Sequence, residues 1–342
     1  MLLLAQFTNM SQDRDYWGHI LSSINDSQDP NKFPKCIPLI GDEASTPWIP
    51  TAKDIASKWA KDHGYPLEDS SQLSRVAQFL ALDQNESFPK EELLREFGNR
   101  PPPDFSLKDF ENTAYSVLAD LNLPIYITTN YDLLMEAALK AKGKKPVSEF
   151  CRWNDRLIPH LKRAGIKSIF DKGGKYAPKP ENPLVYHLYG LYRLNPEYRL
   201  GDIDTDIDLA YTLVLTEEDY INFALALNQR GDSNIFPPVI RKAFSISSLL
   251  FIGYNIGDLG FRILFQGVVS PYIGPSLAVQ LPPGSTPSRA IEYLDKYTEH
   301  MFKVRVYWGD PSKFCQELRE RWENFKRKQS SSNITSFGAN AR

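Results

Sequence analysis

An amide and a carboxylate two residues apart, Asn130 and Asp132, follow directly on a β-branched and aromatic run, Ile125 to Thr129. Such a run has strand composition and strand length, and Pro124 ahead of it can open a strand but not sit inside one. A helical pattern begins at once, with Leu133, Leu134, Ala137 and Ala138 at helical spacing before Gly143. A buried parallel strand that delivers an amide and a carboxylate at its carboxyl end, just before a helix, matches where open α/β sheets place ligand chemistry. The plainer reading makes both residues turn and cap groups, which is their usual employment.

Three other places could join them. Gly41-Asp42-Glu43-Ala44-Ser45 follows the apolar run Cys36 to Ile40 and precedes a helix capped by Thr51, so its N–H groups and the helix dipole could face a phosphate. An ordinary strand-to-helix turn would look the same, since the loop has one glycine and not three. Gly253-Tyr254-Asn255-Ile256-Gly257-Asp258 is a second strand-to-helix passage, with two glycines, an amide and a carboxylate. His187 is one of five histidines and sits inside the apolar strand pattern Leu184 to Gly190. It reads either as a satisfied core residue or, through its near-neutral titration, as the best general-base candidate in the chain. No two histidines stand at metal-ligand spacing, so no metal site is assigned.

Strand and helix patterns alternate along the chain. Further strands are expected at Ser248–Gly253, Ser276–Leu281 and Phe302–Tyr307, and helices at 51–64, 106–121, 216–227, 236–244, 258–266 and 287–297, with a last one from Pro311. A parallel sheet covered by helices is the economical architecture, an α/β fold in which the turns and Asn130 meet at one edge. Helical patterns over 65–103 read as an insertion. The stretch 143–183, rich in Lys, Gly and Pro, reads as an irregular one, and the polar residues from about 330 to 342 read as a flexible tail.

Composition limits the remaining possibilities. With 342 residues the chain can bury an ample core. Lys+Arg 40 against Asp+Glu 42 gives a net charge of −2, so no basic field points to nucleic acid. Cys36, Cys151 and Cys315 are isolated and form neither a disulfide framework nor a thiolate zinc site. No stretch has the length and apolarity of a membrane span or a signal peptide, so a cytoplasmic location is expected.

Taken together, these segments resemble the sirtuin-like (SIR2-like) proteins of bacterial antiviral defence. Pro38 to Ser45 stands where that family carries a Gly-Ala-Gly-x-Ser loop, Thr128-Thr-Asn-Tyr-Asp132 matches its Thr-Thr-Asn-Tyr-Asp element, and Tyr186-His-Leu-Tyr-Gly190 its His-x-x-Gly strand. Phe251 to Asp258 is similar to its second nucleotide turn, with Asn255 where serine is usual, and Val306-Tyr-Trp-Gly-Asp310 is similar to its closing segment. The resemblance covers most of residues 36 to 325. It implies one Rossmann-like domain over 1–329 that takes NAD as substrate, without a metal, and hydrolyses its nicotinamide–ribose bond. Asn130 would hold the ribose and place water, and His187 would accept a proton. Gly41, Ser45, Thr129, Asp132, Gly253, Tyr254, Asn255 and Asp258 would line the dinucleotide site.

Deacetylase sirtuins share these elements but also need two C-x-x-C pairs, which this chain lacks. Stand-alone members of this size imply a homo-oligomer that assembles with a HerA-type ring ATPase, and NAD depletion that arrests the infected cell. A non-catalytic nucleotide-binding or scaffold subunit is the alternative. It is motivated by Asp42 and Glu43, of which Glu43 falls on the family's second glycine. A carboxylate about 4 Å from a pyrophosphate charge would cost roughly 4 kcal/mol at an effective dielectric near 20. Three outcomes are open: both side chains splay away, the loop is remodelled on activation, or NAD is not bound in the family manner.

Overall fold

The computed structural model describes residues 17–46, 48–98, 102–154, 157–163, 167–170, 176–192, 210–227, 235–254, 262, 265–266, 276–280 and 288–339. Seven parallel strands form one sheet: β1 (Cys36–Ile40), β2 (Ile125–Thr128), β3 (Val147–Phe150), β4 (Leu184–His187), β5 (Ser248–Ile252), β6 (Ser276–Gln280) and β7 (Val304–Trp308). Their order is β3-β4-β2-β1-β5-β6-β7. Without the edge strand β3, this is the doubly wound 3-2-1-4-5-6 order of a Rossmann-type fold, with its reversal point between β1 and β5. Every residue of β1, β2, β4 and β5 is buried. Both sheet faces are therefore covered, as parallel sheets require.

Local chemistry explains the boundaries. Thr51 and Asp54 form a reciprocal capping box that starts the helix Ala52–Asp62. Thr216 and Asp219 do the same for Glu217–Leu227: the Asp219 N–H donates to Thr216 Oγ1 at 3.1 Å and the Thr216 N–H to Asp219 Oδ2 at 3.0 Å. Pro38 lies in the middle of β1 and has no N–H to give. The β1–β5 register takes in all five residues of β1, whereas the β1–β2 register takes in only Leu39 and Ile40.

Several expectations need correction. The stretch 143–183 holds a strand, β3, which pairs in register with β4, and a helix, Leu157–Arg163. A four-residue strand, Val-Ser-Glu-Phe, that buries Ser148 and Glu149 has no alternating pattern to announce it. The stretch 106–121 divides into a short turn, Lys108–Phe110, and the helix Ala114–Asp120, because Thr113 caps a new start. The last helix runs Pro311–Ala339, past the expected tail boundary, since no proline or glycine interrupts it before Gly338. The expected helix at 258–266 falls outside the described residues, apart from 262 and 265–266. Among the described residues, no helix is long and apolar enough to cross a membrane.

Candidate functional site

The two turns at the reversal point touch backbone to backbone. Past Ile252, Gly253 turns with φ +76°, and its carbonyl accepts the Glu43 N–H at 3.2 Å. The Gly41 N–H donates to Ile252 O at 2.8 Å and the Ala44 N–H to Gly41 O at 3.2 Å. A Cβ on Gly41 would lie 2.3 Å from Gly253 O, and one on Gly253 would lie 2.4 Å from Ala44 N. Glycine is required at both by close approach. The N–H groups of Gly41, Glu43 and Ala44 thus have internal acceptors in this form.

The two acidic side chains of the first turn part ways. Asp42 Oδ2 accepts the Ala52 N–H at 2.8 Å and so caps the next helix. Glu43 is half-buried, its Oε2 finds no hydrogen-bond partner among the described residues, and burial, then the Asp42 charge, pushes its carboxyl up to about 7. Only one of the two has therefore turned to a structural task.

Asn130 stands beside the first turn, at the end of β2. Its N–H donates to Thr128 Oγ1 at 2.9 Å, and its Nδ2 lies 3.0 Å from Gly41 O, 2.9 Å from Ser45 Oγ and 3.1 Å from Tyr115 Oη. Ser45 Oγ also lies 2.7 Å from Tyr115 Oη and donates to Asp132 Oδ2 at 3.2 Å. Asp132 Oδ1 accepts the Leu134 N–H at 2.9 Å, starting the helix Leu134–Ala141. One Asp132 oxygen thus meets the first N–H of that helix while the other meets Ser45 in the polar cluster. Its carboxyl is pushed up to about 6, chiefly by burial, with the Glu136 charge adding to the rise and the Leu134 bond, His187 and Ser45 opposing it.

His187 lies next to this turn because it pairs in register with Thr128. Its Nδ1 is 3.2 Å from the Asn130 carbonyl and its Nε2 is 2.8 Å from Glu136 Oε1, which also accepts from Ser148 Oγ at 2.6 Å. The ring is fully buried. Burial alone would push the imidazole down, but the Glu136 charge and its hydrogen bond leave it above its ordinary value. On the far side of Ile40, Thr129 Oγ1 and Tyr254 Oη are 2.9 Å apart, and both approach the Ile40 carbonyl.

Gly41, Ser45, Asn130 and Asp132 therefore share one hydrogen-bonded cluster, His187 joins it through the Asn130 carbonyl, and Thr129, Tyr254 and Gly253 flank it. Asn255 and Asp258 lie outside the described residues. Sequence reasoning missed Tyr115, Glu136 and Ser148. Glu136 had a signal, because it follows Asp132 by one helical turn and so shares its face. Tyr115 and Ser148 had none. A cavity of about 350 Å³ bordered by Lys108, Asp120 and Arg319, and one of about 600 Å³ beside Tyr293 and Met301, do not reach this cluster. No group of three His, Cys, Asp or Glu residues among those described is placed to hold a metal ion.

Strand order and turn contacts define a doubly wound α/β protein with a polar cluster at its reversal point. The SIR2-like domain matches residues 124–300, just over half of the chain, and the chain belongs to that family, one of NAD-dependent enzymes. No curated protein matches it. Among solved structures, one reported as "Structural Basis for the Mechanism and Regulation of Sir2 Enzymes" is 13% identical, with 90% of this chain and 96% of that one covered at a TM-score of 0.36. So loose a superposition carries no weight beside the strand order.

Proposed function

We propose that the chain hydrolyses the nicotinamide–ribose bond of NAD, releasing nicotinamide and ADP-ribose. The observation that supports this most is the Asn130 amide, held at the carboxyl edge of β2 by Gly41, Ser45 and Tyr115. Breaking the bond builds positive charge on the anomeric carbon. The reaction needs a fixed polar group to orient ribose and water, and a group that takes a proton, each contributing on the order of a hundred- to ten-thousand-fold. Asn130 suits the first role and His187 the second, and the carboxylate of Asp132 supplies negative charge behind them. Gly41, Ser45, Thr129, Asp132, Gly253, Tyr254, Asn255 and Asp258 are the residues proposed to line the dinucleotide.

The pyrophosphate does not fit the first turn as it stands. Glu43 and Ala44 N–H already serve Gly253 and Gly41, and both ring nitrogens of His187 have partners. Binding in this manner requires those contacts to be exchanged, which favours remodelling of the turn over a preformed cradle. We further propose that this change is made in a homo-oligomer bound to a HerA-type ring ATPase, and that the resulting NAD loss serves defence against phage. Purified protein incubated with NAD, with and without such an ATPase, tests both proposals. Release of nicotinamide that disappears in Asn130→Ala supports them, and none under any condition removes the hydrolase reading. The occupied N–H groups favour the second reading, a non-catalytic nucleotide-binding or scaffold subunit, in which Asn130→Ala would leave defence intact.

A further inference from the structure

Glu136 is fully buried, four residues beyond Asp132 and facing β4 and β3, and none of the roles above uses it. A backbone carbonyl can only accept, so His187 Nδ1 must carry a proton to meet Asn130 O. A single further proton lies between His187 Nε2 and Glu136 Oε1, 2.8 Å apart. Ser148 donates into that same oxygen at 2.6 Å. With two donors converging on Oε1 the geometry favours a carboxylate there and the proton on the ring, against the opposing burial of Oε2, which has no partner among the described residues. The imidazole then has two N–H groups pointing in opposite directions, one to the helix carboxylate and one to the Asn130 main chain.

We infer that Glu136 is the positioning residue of this site: it clamps His187 by Nε2, so that Nδ1–H pins the Asn130 carbonyl and thereby aims the Asn130 amide. The Asn130 main chain is held at its carbonyl by His187 and at its N–H by Thr128 Oγ1, which fixes the backbone from which its amide reaches Gly41 O, Ser45 Oγ and Tyr115 Oη. The clamp also changes what His187 can do. While both nitrogens are protonated the ring cannot accept a proton, and it becomes a base only when Glu136 takes the Nε2 proton and that contact opens, so that the freed lone pair faces substrate instead of Glu136. The titratable groups facing the pair are Asp132 from the turn before the helix and Tyr115 from the helix Ala114–Asp120. The Tyr115 hydroxyl is held well above its ordinary value by burial, so Asp132 alone changes charge near neutrality. The catalytic consequence rests on the hydrolase reading, whereas the clamp does not.

Nitrogen-15 spectra of the histidine rings in the full-length protein test it, with Glu136→Gln as the variant. Glutamine keeps the shape and can donate to Nε2, so the ring should become singly protonated with Nδ1–H retained, and the Asn130 side-chain amide signals should shift. Hydrolysis should fall roughly tenfold or more, with its pH profile displaced rather than scaled. Ring and amide signals that do not change would overturn the inference. If Glu136→Gln does not fold, the wild-type titration decides alone. A His187 midpoint above about 6.5 supports the clamp, and one at or below it overturns the clamp. If wild-type protein turns over no NAD, the hydrolase reading falls while the spectra still decide the clamp.

Discussion

The two sides of β1 handle buried charge in opposite ways. Toward β2 and β4, each ionisable or amide group has a designated partner: Asn130 with Ser45 and Tyr115, Asp132 with Ser45 and the Leu134 N–H, His187 with Glu136. Toward β5 the contacts are backbone against backbone, and Glu43 keeps a buried oxygen that nothing described satisfies. Burying a polar group is costly unless it is paired. Glu136 Oε2 also lacks a partner among the described residues, but its Oε1 takes two bonds, so the first side is held by a side-chain network that the second side lacks. On the second side the Glu43 carboxyl is raised chiefly by burial and its Oε2 has no partner among the described residues, so a change of state there gives up backbone contacts but no side-chain network. Under the proposed function, the first half would be preformed and the turns would be the adjustable half.

The preformed half should be the more sensitive to substitution. Asn130→Ala removes the donor that Gly41, Ser45 and Tyr115 share, and NAD hydrolysis should fall on the order of a hundred- to ten-thousand-fold with the far-ultraviolet dichroism retained. A variant with undiminished turnover would break the assignment. Gly253→Ala acts on the other half. A Cβ 2.4 Å from Ala44 N on a residue at φ +76° cannot be relieved by a side-chain motion, and the loss in urea stability should be about 2–4 kcal/mol. A loss under about 1 kcal/mol would mean that the turns part readily.

Much of the sheet was legible in the sequence, and the reason is physical. Cys36–Ile40, Ile125–Thr128 and Ser248–Ile252 are buried on both faces and so read as short apolar runs bounded by Pro, Gly or Asn. The edge strand β3 was not legible, because its fate depends on β4 and on Glu136, which supplies the partner for Ser148. At the site, Asn130, Asp132 and His187 stood out by type and position. Tyr115 did not, since an aromatic in an apolar stripe looks like core until its hydroxyl is seen beside Ser45. Partners from distant segments, such as Asp42 with Ala52 or Glu136 with His187, depend on the fold and leave no trace in local spacing.

The unsatisfied carboxyl should reveal itself through pH. Glu43 is raised from 4.5 to about 7, so the folded state holds a proton that the unfolded chain has already lost. Stability from this group is therefore highest below about pH 4.5 and declines as pH rises toward about 7, after which the penalty is constant. Glu43→Gln removes the charge and should leave stability unchanged at pH 4 while raising it at pH 8. With part of the group exposed to screening water, the gain should be about 1–2 kcal/mol. Chemical denaturation at the two pH values measures it, and equal effects at both would show that the carboxyl meets a partner after all.

Asp42→Asn gives the smallest effect and the finest test of the difference between the two acidic neighbours. Asparagine keeps an oxygen for the Ala52 N–H but gives up a charge at the start of that helix, which by itself costs about 0.3–1 kcal/mol. It also removes the like charge that, after burial, holds the Glu43 carboxyl up, so Glu43 should titrate below about 7. The two effects oppose each other above neutrality, and net stability at pH 8 should move by no more than about 0.5 kcal/mol. The informative quantity is the position of the pH transition. A downward displacement in Asp42→Asn, absent when Glu43→Gln is added, ties the transition to this pair of neighbours. An unmoved transition would mean that Asp42, engaged with its helix, is electrically remote from Glu43, and that burial alone keeps the second carboxyl protonated.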